Sequence, residues 1–167
     1  RRHIPKMAEA DYFGHPGNQG EAVRWGQALG AAVRHMGAYQ GHGSVATPHA
    51  ILITWALMME GGFQVNAHGH RFSNEHLGYS EQAEAVLAQP GGVAWNIYDV
   101  RLHALGFEFD DYRNAEAAGA ILSAPTLDAL AGACGLPAAA LSETVVNTEM
   151  LAAGRVVDTF GRDFTAK

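Results

Sequence analysis

Glycine sets an upper limit on every element this chain can build. Of its 20 glycines, Gly37, the pair Gly61-Gly62, the pair Gly91-Gly92, Gly135 and Gly154 each close an apolar stretch. Glycine at such a place ends a helix, because it enters the left-handed conformation without steric cost. The longest apolar stretch, "AILITWALMM" from Ala50 to Met59, is bounded in this way. Roughly 20 such residues are needed to cross a bilayer, so no membrane span is expected. A chain of 167 residues cut into short pieces must pack many small elements into about one domain.

The pieces carry recognisable periods. Ala22, Trp25, Leu29, Ala32, Val33 and Met36 fall at helical spacing and predict a helix from Asn18 to Met36. "YQGHGSVATPH" is irregular, and a second apolar helix is expected from Pro48 to Met59. "FQVN" and "HRFSN" alternate around "AHG", which predicts a β-hairpin. Ser80 is placed to cap a helix through "YSEQAEAVLAQ". "VAWNIYD" predicts a buried strand, "DYRNAEAAG" a short helix, and "AILSAP" an extended piece. "TLDALAGACG" predicts a helix capped by Thr126 and stopped by Gly135, and a last helix follows with Pro137 in its first turn. Strands and helices are mixed without βαβ repetition, so an α+β fold is expected.

Composition removes several function classes. Hydrophobic residues make up 48% and charged residues 17%, which is globular rather than disordered. The formal charge of −6 and the lack of a Lys/Arg cluster beyond Arg1-Arg2 argue against nucleic acid as a partner. The single Cys134 excludes a disulfide framework and a cysteine zinc site, and its small-residue surroundings suit a buried apolar role better than a nucleophile. The start, "RRHIPKMAEADYFG", has no apolar signal core and no initiator Met, which suggests a fragment or processed chain of cytoplasmic origin.

The nine histidines are the main chemical resource. His35, His42 and His49 stand seven apart, but Gly41, Gly43 and Pro48 interrupt any helix that would align them. His68 and His70 on a hairpin would share a face and could ligate a metal with Glu75 or His76. No further ligand spacing supports that reading, and no metal is expected. "GHGSVA" satisfies G-x-G-x-x-A formally but lacks the preceding strand and following helix of a dinucleotide turn. "GxSxG" and "HExxH" are absent. His42, between two glycines, is exposed by its neighbours and could donate a hydrogen bond to an anion. Thr54 sits in an apolar run, where its hydroxyl could simply bond back to its own backbone.

Three ordered segments, "HPGNQGEA…HMGAYQGH", "LITWALMMEGGFQVNAHGHRFSNE" and "EQAEAVLAQPGGVAWNIYD", resemble flavoproteins of the fumarate reductase/succinate dehydrogenase type. These are FAD-dependent oxidoreductases that carry the FAD-binding-2 domain. The closing run from Thr126 to Arg162 resembles the end of their capping domain. "GGFQVNAHGHRFSNE" is the most specific part, and the likeness extends from Gly14 onward.

The resemblance implies FAD as cofactor and hydride exchange with a carbon–carbon bond of a carboxylate- or carbonyl-bearing small molecule. It implies an α+β capping (substrate) domain with a partial flavin-domain strip: residues 1–45 in the flavin domain, 46–156 in the cap and 157–167 returning to the flavin domain. His42 and Thr54 match the family's substrate-binding histidine and threonine. His15, Pro16, Gly20 and Glu21 match a segment that lies against the flavin, although Glu21 and Ala22 replace the family's Asp and Gly. In fumarate reductases a Glu and an Arg follow the threonine by one and four residues, and an Arg follows "NE" by four. Here those positions hold Trp55, Met58 and Tyr79, so fumarate reduction by that relay is not expected, and Tyr79 is the candidate catalytic acid or base. The family's N-terminal G-x-G-x-x-G turn and its C-terminal substrate residues have no counterpart here. The partners expected are therefore the missing N- and C-terminal parts of the same flavoprotein, without which the polypeptide would be inactive. The alternative is a stand-alone, non-catalytic binding domain derived from the cap.

Overall fold

A computed structural model describes residues 3–165. The chain divides into two compact units, Arg1–Gln40 and Gly41–Lys167. Among its described residues the first contains a single α-helix, α1 (Glu21–Ala28). This helix is shorter than the spacing of apolar residues predicts. Gly20 precedes it at φ 80° and Gly30 follows at φ 85°, so backbone conformation at two glycines overrides a periodicity that continues to Met36. Among its described residues none is buried, and Trp25 and Leu29 are 68% and 88% exposed.

The second unit opens with a small antiparallel pair, β1 (Val45–Ala46) and β2 (Ile51–Leu52), in register Val45↔Leu52. This corrects the helix expected from Pro48 to Met59. Ala50 stands at φ 56° and its N–H bonds the Ala46 carbonyl, so the chain reverses there. Only α2 (Ala56–Met59) is helical. A short apolar run fits a strand and a helix equally well by period, and here it is divided between them.

The strand β3 (Phe63–Val65) pairs antiparallel with β4 (Trp95–Ile97), Gln64 opposite Asn96. The expected hairpin partner, "HRFSN", does not form a strand. The turn itself exists: the Asn66 side chain accepts from the N–H groups of His68 and His70, and Gly69 occupies φ 80°. Arg71 then leaves the sheet to bind carboxylates. A Cβ on Gly69 would stand 3.0 Å from the Leu141 nitrogen, so the turn packs directly on the last helix, where Thr144 donates to the Gly69 carbonyl at 2.7 Å.

The remaining helices are α3 (Tyr79–Leu87), α4 (Val100–Gly106), α5 (Asp110–Ala117), α6 (Leu127–Cys134) and α7 (Ala138–Ala152). Thr126 caps α6 and Gly135 ends it in the left-handed conformation, as the sequence predicts, while Pro137, expected in the first turn of α7, stands one residue earlier as its N-cap. Helix α4 was not anticipated; its signal is Asp99, whose carboxylate caps the Leu102 N–H at 3.0 Å. Ser80 does not cap α3, whose N-cap is Gly78.

Two apolar clusters result. One joins Ile53, Trp55, Leu57 and Met58 to Leu102 and Tyr112; the other gathers Phe63, Val65 and Ile97 with Ala131, Leu136 and Leu141. Among the described residues no helix is long and apolar enough to cross a membrane.

Candidate functional site

His42 is held by backbone and amide contacts on both sides. The Gly41 N–H bonds Ser80 Oγ at 3.0 Å and the Gly43 N–H bonds the Tyr79 carbonyl at 2.9 Å, so the loop is pinned to the start of α3. From the sheet, Gln64 donates its side-chain amide to the Gly43 carbonyl and to Asn96 Oδ1, each at 2.8 Å. Asn96 donates to Ser44 Oγ at 2.6 Å, and Gln82 donates to Gln64 Oε1 at 2.7 Å. These groups satisfy one another away from water, which makes such a network rigid. Sequence reasoning missed Gln64, Gln82 and Asn96. The signal was available: polar amides inside stretches otherwise read as buried.

The imidazole is oriented by Ser44, whose N–H meets His42 Nδ1 at 3.2 Å. The neutral ring therefore carries its proton on Nε2. Burial holds the pKa of His42 below its ordinary 6.5, so the neutral donor prevails at pH 7. Tyr79 stacks on this ring, with centroids 5.1 Å apart and planes at 22°, and Trp55 meets it edge-on at 6.0 Å and 88°.

Thr54 lies in the loop between β2 and α2, not within a helix. Its Oγ1 accepts the Ala56 N–H at 3.3 Å, which leaves the hydroxyl proton to donate elsewhere. His42, Thr54, Trp55 and Tyr79 line one open cleft of about 540 Å³, together with Asp110 and Asp111 from the first turn of α5. Three residues singled out from sequence thus share one wall. Trp55 and Met58, at positions where the resemblance leads one to expect charge, are instead core residues, 8% and 0% exposed.

Arg71 and Glu75, from "RFSNE", form part of a closed ionic strap. Arg71 is bidentate to Glu75, at 3.1 and 2.8 Å, and reaches Asp158 at 2.8 Å. Arg162 adds a 3.1 Å bond to Glu75 and donates to the carbonyls of Gly62 and Met58. Phe164 lies under both guanidinium groups, 4.7 Å from Arg71 and 4.0 Å from Arg162. His68 and His70 are exposed, and no group of three or more potential ligands gathers for a metal among the described residues.

His15, Pro16, Gly20 and Glu21 belong to the first unit; all but Glu21 are exposed. The His15 ring accepts the Gly17 N–H at 3.0 Å, and Glu21 accepts the Gln19 N–H at 3.0 Å.

The FAD binding domain family (FAD_binding_2) matches residues 1–165. This chain belongs to that family. A probable fumarate reductase of Shewanella frigidimarina is 29% identical over 143 residues, which is 86% of this chain and 24% of the relative. The cytochrome-type fumarate reductase of the same organism is 28% identical over 144 residues, or 86% of this chain and 25% of that protein. An NADH:fumarate oxidoreductase of Klebsiella pneumoniae is 29% identical over 98 residues, covering 59% of this chain and 11% of its own length. The open conformation of a flavocytochrome c3 fumarate reductase superposes with a TM-score of 0.73 at 27% identity, covering 97% of this chain and 28% of that one. The chain spans about a quarter of the length of the Shewanella relatives it matches.

FAD is the cofactor of the family. A Cβ on Gly20 would meet nothing within 4 Å, so the backbone there is open. The same position suits the pyrophosphate poorly, because the carboxylate of Glu21 already stands at the start of α1, where an anion would otherwise be favoured.

Proposed function

We infer that the chain is part of an FAD-dependent oxidoreductase that moves a hydride between the flavin and a carbon–carbon bond of a carboxylate- or carbonyl-bearing substrate. In this reading residues 46–156 form the capping domain, residues 1–45, including His15, Pro16, Gly20 and Glu21, contribute a strip of the flavin domain, and residues 157–167 begin the return to it. FAD would supply the hydride chemistry. His42 and Thr54 bind the substrate's oxygen through Nε2–H and the hydroxyl, and Tyr79 gives or takes the proton at the carbon that does not exchange hydride. The carrying observation is the cleft in which His42, Thr54 and Tyr79 meet, within a family that binds FAD. A cytoplasmic setting belongs to the same proposal and is checked by fractionation.

The test is an anaerobic screen of carboxylates and carbonyl compounds against the full-length flavoprotein, followed by flavin absorbance. Reversible bleaching by at least one compound is expected. With Tyr79→Phe the rate should fall by roughly a hundredfold or more, the usual range for a lost acid/base group. A flavin-loaded protein bleached by none of them sinks the reading.

One observation favours a second reading, a non-catalytic binding domain: Trp55 and Met58 are committed to the core at positions the resemblance assigns to proton transfer. A full-length protein purified without FAD would support it.

A further inference from the structure

One peptide unit links the buried amides to His42. The Gly43 carbonyl and the Ser44 N–H belong to the same planar, trans peptide, so they point in opposite directions. At one end the carbonyl accepts from Gln64 Nε2 at 2.8 Å, and at the other the N–H donates to His42 Nδ1 at 3.2 Å. Whatever turns this plane also changes the group that the imidazole meets.

Gln64, Gln82 and Ser44 are all buried, and the direction of their hydrogen bonds follows from a single anchor. A carbonyl oxygen can only accept, so Gln64 must turn its Nε2 toward Gly43 and its Oε1 toward Gln82, whose Nε2 donates at 2.7 Å. The second Gln64 proton goes to Asn96 Oδ1 at 2.8 Å, which leaves Asn96 Nδ2 to hold Ser44 Oγ at 2.6 Å. Ser73 completes Gln82, with its Oγ 2.9 Å from Oε1 and 2.6 Å from Nε2. No amide in this chain can invert alone without setting donor against donor or acceptor against acceptor. The Gly43–Ser44 unit is therefore gripped from the sheet at its carbonyl and at the Ser44 hydroxyl.

A neutral imidazole has two tautomers, and a neighbour that donates to one ring nitrogen places the proton on the other. With the peptide as it stands, Nδ1 accepts and Nε2–H is the donor. A carbonyl in place of the Ser44 N–H would demand Nδ1–H and leave Nε2 as an acceptor.

We propose that Gln64, backed by Asn96, is a positioning residue that sets the His42 tautomer through the Gly43–Ser44 peptide and so makes this histidine a hydrogen-bond donor. Its use toward a substrate oxygen rests on the reading of the cleft as the substrate site; the tautomer does not.

The full chain is prepared with isotope-labelled histidine, and two-bond proton–nitrogen correlations of the rings are recorded at about pH 8, above the lowered pKa of His42. His42 is assigned by the signals lost in His42→Gln. The wild-type ring should carry its proton on Nε2. Gln64→Met, which keeps the side chain's length and removes both donors, should move the tautomer ratio toward Nδ1–H by about fivefold, the order of one neutral hydrogen bond. Asn96→Ala, at a half-buried position, should move it the same way by a smaller factor and serves if the first variant does not fold. The proposal is overturned if the wild-type proton sits on Nδ1, or if a folded variant loses stability while keeping the wild-type ratio. A full-length flavoprotein bleached by no compound would instead count against the oxidoreductase reading and leave the tautomer result standing.

Discussion

The ionic strap and the cleft both belong to the second unit, and they treat polar groups in opposite ways. In the strap, Arg71, Glu75, Asp158 and Arg162 are buried or nearly so, and their charges balance two against two. Arg71 also borders a second hollow of about 520 Å³ beside α7, yet its guanidinium is already committed to Glu75, Asp158 and the Ser73 carbonyl. In the cleft His42, Thr54 and Trp55 are uncharged, and Thr54 Oγ1 accepts from the Ala56 N–H, which leaves its hydroxyl proton unused by the fold. Charge fully paired within the fold closes a structure; neutral donors left over are what a ligand can use. The presence of an arginine beside a hollow therefore says little until its partners are counted.

The sharpest way to break this comparison is to open the strap. Glu75 is 0% exposed and receives bonds from two arginines and from the Gln64 N–H. Glu75→Ala would leave two buried guanidinium groups short of a partner, a loss of about 3–5 kcal/mol. Denaturant unfolding measures it, and a loss under about 1 kcal/mol would mean the strap is not a structural element. The cleft should respond to a subtler change. A Cβ on Gly43 would stand 2.8 Å from the Gln82 Cβ and 2.9 Å from its backbone carbon. Neither atom can step aside, so Gly43→Ala should cost about 1–3 kcal/mol and shift His42 off its Ser44 contact. The His42 ring-proton signals report the second effect; an unmoved ring with full stability would show that the loop has slack.

How much of this was legible in the sequence depended on whether the deciding force was local. The capped helix at Thr126–Gly135 follows from adjacent residues and stands as expected, and the Pro137 signal for the start of α7 is off by one residue. The pairing of Arg71 with Glu75 is also local, four residues apart along the chain. Its closure by Asp158 and Arg162 is not, because 87 residues separate Glu75 from Arg162. The two misplaced helices failed for backbone reasons. Periodicity in residues 18–36 and 48–59 counts side chains, and it does not register Gly30 at φ 85° or Ala50 at φ 56°. In the cleft, His42, Thr54 and Tyr79 came from family likeness, whereas Asp111 arrives there through long-range packing that no spacing encodes.

The last contrast lies in pH. Burial lowers the pKa of His42, and burial with the nearby Arg162 charge lowers that of His76. Both start from 6.5 when unfolded, so between the lowered values and 6.5 the unfolded chain binds more protons. The stability linked to these rings is full above about pH 6.5 and is lost as pH falls through their folded values. Asp158 behaves differently. Burial pushes its pKa up, but hydrogen bonds from Arg71 and the Arg162 N–H outweigh that and leave it below 3.8, so its contribution survives until the pH falls through that lower value. Unfolding followed from pH 8 downward should therefore show two steps, the first worth less than about 1 kcal/mol per partly exposed ring. His42→Gln should shrink the first step and leave the second intact. If it altered the acid step instead, cleft and strap would be energetically one structure and the distinction between them would fail.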